Sequence, residues 1–96
     1  MFMSFLRKKR KMPKTLLELY AVVSPVAEQV LQIPRFDSTL TMMSTPSWDS
    51  LRHVQLLGAI ERKFGIEIAG EDAFKLTSAD KLVSYLHARL ELGGQT

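Results

Sequence analysis

Leu51, Val54, Leu57, Ile60 and Phe64 recur at three- and four-residue steps, the spacing that lines one face of an α-helix. Asp49 or Ser50 stands where this run begins and Gly65 just past its end, residue types that open and close helices. A helix is therefore predicted from a cap at Asp49 or Ser50 to an end at Gly65. Upstream, Thr15-Leu16-Leu17-Glu18 has the spacing of a capping box, and Leu16, Leu17, Tyr20, Val23, Ala27, Val30 and Leu31 fall on one broad face. This pattern predicts a helix over residues 15–32, ended by Pro34, with Pro25 inside it. Proline removes a backbone hydrogen bond and crowds the preceding turn. Either the helix kinks there, or Ser24 caps a second segment that starts at Pro25. Towards the C-terminus, Thr77 or Ser78 caps a last helix with Leu82, Val83, Tyr85, Leu86 and Leu90 as its apolar stripe, and Gly93-Gly94 releases the tail.

Residues 35–48 are rich in Ser, Thr, Asp and Pro and lack a helical period, so they read as a long loop. Phe36, Leu40, Met42, Met43 and Trp48 are expected to pin it to the core. Residues 70–74 suffice for one helical turn, and Ile66-Glu67-Ile68 is too short to count as a strand. Gly58, inside the second helix, costs ~1 kcal/mol relative to alanine, which calls for a packing or contact reason. The expected fold is all-α: a small four-helix bundle of three main helices and one short third helix, with the long loop between helices 1 and 2.

At 96 residues with 46% apolar positions, one domain with a continuous interior is within reach. Six of the thirteen Lys and Arg residues fall in the first fourteen positions, which hold no acid. The other seven face ten acids, so the remainder carries −3. The expected organisation is a basic flexible leader at 1–14, a helical domain at 15–92 and a short flexible tail at 93–96. In the leader the apolar residues precede the basic run, the reverse of a secretory signal, and no apolar run approaches the ~20 residues that span a bilayer. Membrane or acidic-partner contact by the leader is the minor alternative. Nucleic acid is not expected, because no aromatics interleave with the basic run and the domain behind it is acidic. With no cysteine there is no disulfide framework and no thiolate, which fits a reducing cytoplasm. Any thiol chemistry must come from a cofactor.

Ser50 is the candidate site. A hydroxyl at a helix start lies where backbone N–H groups and the helix dipole favour an anion, and a phosphate ester suits that place. Ser50 and His53 are one turn apart with Asp49 adjacent, but no glycine-rich loop offers an oxyanion hole, so a hydrolase is rejected and His53 is expected to be solvated. His53 and His87 are far apart, and Glu67, Glu71 and Asp72 lack the regular spacing of a calcium loop. No metal site is expected.

The segment WDSLRHVQLLGAIERKFGIEIAGEDAFKLTSADKLVSYL, from Trp48 to Leu86, resembles the second half of an acyl carrier protein. The Asp-Ser-Leu signature, the apolar spacing after it, the Ile-Glu-Ile segment and the Thr-Ser start of the last helix follow in family order. The resemblance implies that Ser50 carries 4′-phosphopantetheine, placed there from coenzyme A by a phosphopantetheinyl transferase, with Asp49 and Leu51 beside the attachment site. It implies acyl intermediates held as thioesters and no catalysis by the chain itself. Contact with partner enzymes is implied for Leu51, Arg52, Val54, Gln55, Gly58 and Glu61. An interior able to shelter an acyl chain is implied for Val54, Leu57, Ile60, Phe64, Ile68, Ala73, Leu76 and Leu82. The implied partners are the transferase, an acyl- or aminoacyl-activating ligase, and a ketosynthase or acyltransferase, and a monomer suits a mobile arm.

Two departures stand out. Arg52, Gln55, Arg62 and Lys63 occupy positions that are commonly acidic in fatty-acid-synthesis carriers, and Ser47-Trp48 replaces the Gly-Ala type of pair before the Asp. Both favour a stand-alone carrier of a specialised pathway, with an aminoacyl cargo left open. The rival from another class is a non-catalytic interaction module in which Ser50 only caps a helix and the leader docks on a partner.

Overall fold

The computed structural model describes residues 15–93; the expected leader at 1–14 and the last residues of the expected tail lie outside the described residues. Among the described residues four helices follow in order: α1 (Leu16–Leu31), α2 (Ser50–Phe64), α3 (Gly70–Ala73) and α4 (Ala79–Gly93). The architecture is all-helical, as the periodicity predicts. Among the described residues the only β-type pairing is an isolated bridge between Thr41 and Ser78.

The capping box opens α1 as its sequence dictates. Thr15 Oγ1 accepts from the Glu18 amide at 3.1 Å, and Glu18 Oε1 accepts from the Thr15 amide at 3.2 Å. At the other end Gln32 adopts the left-handed conformation, with φ 58°, and the amide of Ile33 returns to the Glu28 carbonyl. The helix runs through Pro25 without a break. Pro25 and Ala21 both face solvent, so water can take the carbonyl that proline leaves unpaired. Ser24 does not cap a second segment: its hydroxyl donates to the Phe36 carbonyl at 3.2 Å. The expected face needs correcting. Leu19, Val23, Ala27 and Leu31 are buried, whereas Leu17 is exposed and Leu16 largely so. Leu17 lies about 200° around the helix from Leu19, so only one of the two can face the core.

The long loop is stitched to both of its neighbours. Phe36 and Trp48 are buried, and Leu40 and Met42 pack partly against the core. Met43 does not: it sits exposed on the turn at 42–44. The Phe36 amide donates to Glu28 Oε2 at 3.0 Å. The Met42 amide donates to the Thr77 carbonyl, and the Ala79 amide to the Leu40 carbonyl, both at 2.9 Å. The loop is thereby moored to α1 and to the start of α4. A row of rings runs beneath it, from Tyr20 to Phe36 to Trp48 to His53, with centroids 6.3, 6.2 and 6.0 Å apart.

α1 packs against α2 and α4, and a single core joins the helices and the loop. Ser78 caps α4 by accepting from the Lys81 amide at 3.1 Å. Leu82, Val83, Leu86 and Leu90 line its buried face, with Tyr85 partly buried. α2 departs from its expected stripe: its buried residues are His53, Leu56, Leu57 and Ile60. Leu51 and Val54 are instead 66% and 67% exposed.

Candidate functional site

The start of α2 divides its work between two adjacent residues. Asp49 is the N-cap, and its carboxylate accepts from the Arg52 amide at 2.9 Å. Ser50 is the first helical residue and is exposed. No hydrogen bond to another described residue engages its hydroxyl. The amides of Ser50 and Leu51 are left unpaired at the positive end of the helix, a setting that favours an anion. Thr45 and Ser47, five and three residues back, are different: their hydroxyl oxygens are buried. Of the hydroxyls of Thr45, Ser47 and Ser50, an enzyme can reach the one on Ser50.

Two buried side chains set the approach to this serine. Trp48 donates its indole N–H to His53 Nδ1 at 3.0 Å. An indole N–H can only donate, so Nδ1 accepts and the ring proton sits on Nε2. That Nε2–H donates to the Ala73 carbonyl at 2.9 Å. His53 is only 8% exposed, contrary to the expectation that it is solvated. With both nitrogens engaged, neither is left to take a proton from Ser50. The clue lay in Trp48, since a buried indole N–H needs an acceptor and His53 is one turn past Ser50. Among the described residues no three His, Asp or Glu side chains converge as metal ligands.

Beside Ser50 opens a largely apolar crevice of about 380 Å³ between α2 and α3, lined by Met42, His53, Val54, Leu57, Ala73 and Phe74 among others. It collects three of the eight residues expected to shelter an acyl chain: Val54, Leu57 and Ala73. Val54 forms its exposed rim, not its interior. Ile60, Ile68, Leu76 and Leu82 are packed in the core and Phe64 partly so, and none of these five lines the crevice. Phe74, 83% exposed, and Met42 were missed because neither lies on a long periodic helix.

The expected contact residues also separate. Leu51, Val54 and Gln55 are exposed. Arg52 is braced inward, its guanidinium donating to the Val30 carbonyl of α1 at 3.0 Å. Glu61 is occupied as well, accepting from the Ile68 amide at 2.8 Å, which fixes the loop into α3. Gly58 is half-buried, and a Cβ there would meet only Arg62 Nη1 at 3.6 Å, so no packing within this chain demands a glycine. On the other flank of α2 lies an open groove lined by Gln29, Gln32, Arg52, Gln55 and Arg62, among others, with no carboxylate.

Residues 48–86 match the family described as "Phosphopantetheine attachment site". The chain is 35% identical over 57 residues to the acyl carrier protein of Buchnera aphidicola subsp. Schizaphis graminum, an alignment covering 59% of this chain and 72% of that protein. It is 50% identical over 38 residues to the mitochondrial acyl carrier protein of Dictyostelium discoideum, covering 40% of this chain and 32% of that one.

Proposed function

The chain belongs to the acyl carrier protein family, and from that premise we propose that the Ser50 hydroxyl is where 4′-phosphopantetheine is attached. The observation that carries this reading is the division of labour at the start of α2. Asp49 holds the cap, which leaves the Ser50 oxygen exposed and uncommitted, above unpaired amides suited to a phosphodiester. When bound, the group supplies the thiol that this cysteine-free chain lacks, and acyl groups ride on it as thioesters. The chain's own residues present, orient and shelter. Leu51 and Val54 offer apolar contact around the attachment point, and the crevice between α2 and α3 receives the cargo. His53, saturated by Trp48 and Ala73, adds no acid–base chemistry, in keeping with a carrier that does not catalyse.

The partners follow from that role: a phosphopantetheinyl transferase, an acyl- or aminoacyl-activating ligase, and a ketosynthase or acyltransferase. Arg62 and Lys63 are exposed near the end of α2, where opposite charge on a partner steers encounter. This supports a stand-alone carrier of specialised acyl chemistry over the general fatty-acid one; a monomer in the cytoplasm suits that role.

The test is intact-mass analysis after incubation with coenzyme A, Mg²⁺ and a broad-specificity transferase. Wild type should gain one phosphopantetheine and Ser50→Ala none. An unmodified wild type, or the same gain on the alanine variant, ends the proposal.

A further inference from the structure

α3 is held by different means from the other helices. None of its four residues is fully buried; of the four, Ala73 packs partly against the core, and so short a helix does not sustain itself. Two side chains moor it. The Tyr85 hydroxyl of α4 donates to Asp72 Oδ2 at 3.1 Å, and His53 Nε2–H of α2 donates to the Ala73 carbonyl at 2.9 Å. His53 and Ala73 both line the crevice, so this second mooring joins its two walls. The ring is fixed from its other edge by the Trp48 indole. One imidazole thus ties together the approach to Ser50, α2 and α3.

A crevice with α2 on one side and α3 on the other widens when α3 moves away from α2. That movement breaks the His53–Ala73 bond and strands a carbonyl in a largely apolar recess, where an unmet polar group is costly. The Tyr85–Asp72 bond ties α3 to α4 and not to α2. Resting on the reading of Ser50 as the attachment point, we propose that His53 is a positioning residue: its bond to Ala73 keeps α3 against α2, so that the crevice shelters short acyl groups and not long ones.

The test uses the full chain as wild type, His53→Leu and His53→Gln. Leucine removes the donor, whereas the glutamine amide nitrogen reaches close to where Nε2 stands. In the unmodified proteins, amide hydrogen exchange over residues 70–76 should speed up in His53→Leu by about tenfold, the equivalent of one lost hydrogen bond, and recover in His53→Gln. This readout needs no attached arm. In proteins loaded at Ser50 with saturated acyl groups of increasing length, thioester hydrolysis should slow about fourfold for each further methylene sheltered, then level off once the crevice is full. His53→Leu should carry the slowing to longer chains, and His53→Gln should level off at the wild-type length. The same levelling length in wild type and His53→Leu, or equal exchange over residues 70–76, overturns the assignment. Failure of Ser50 to load overturns the attachment reading instead and leaves the exchange result to judge His53. Should His53→Leu not fold, His53→Asn replaces it, because the shorter amide does not reach Ala73.

Discussion

Asp49 accepts the Arg52 amide at 2.9 Å, so Asp49→Ala strips the cap from α2 and should cost about 1 kcal/mol in urea unfolding. Ser50→Ala removes no such bond and should change stability by less than about 0.5 kcal/mol. The contrast matters, because it shows that the serine is spared from structural duty. Both residues were legible in the sequence, since Asp and Ser at a helix start carry their own signal, although which of them caps was open. His53 was not legible. Polar side chains ordinarily face water, and only the demand of the buried Trp48 indole for an acceptor draws this one inside. Trp48→Phe should therefore lower stability by at least about 1 kcal/mol, by leaving Nδ1 unmet.

In α2 the buried set His53, Leu56, Leu57 and Ile60 keeps the i, i+3, i+4, i+7 spacing of a core face. Counting apolar residues alone skips His53 and lets Leu51 and Val54 take its place, which turned the predicted face outward at the start of the helix. Leu57 and Ile60 belong to both readings, so the error stayed local. Gly58 is the clearest test at this scale. An added methyl has room beside Arg62, so Gly58→Ala should raise stability by about 0.5–1 kcal/mol. Gly65, with φ +67°, should behave oppositely, Gly65→Ala costing about 1 kcal/mol. The long loop carries a pH signature. The Thr39 hydroxyl and then its amide, both donating to Asp37 Oδ1, hold the Asp37 carboxyl below its ordinary value of 3.8. A lowered folded pKa stabilises above the unfolded value and is lost as pH falls through the folded one. Thermal unfolding should then show Thr39→Val as destabilising at neutral pH and progressively less so in strong acid.

Across the whole molecule, helix count and order were legible because three helices are long, periodic and capped. How the bundle closes was not. The loop is seated by backbone bonds, Met42 to Thr77 and Ala79 to Leu40, which any sequence can make and none announces. α3 is likewise too short to show a period. The exposed cations Arg62 and Lys63 on α2 predict that replacing both by Glu slows transfer with this carrier's own partners by about tenfold at low salt, an effect that shrinks as salt rises. The central claim concerns one oxygen, and fragmentation mass spectrometry of the tryptic peptide 36–52 from transferase-treated protein tests it most directly. That peptide contains Ser38, Ser44, Ser47 and Ser50. The account predicts phosphopantetheine on Ser50 alone; the group on any other serine, or on none, contradicts it.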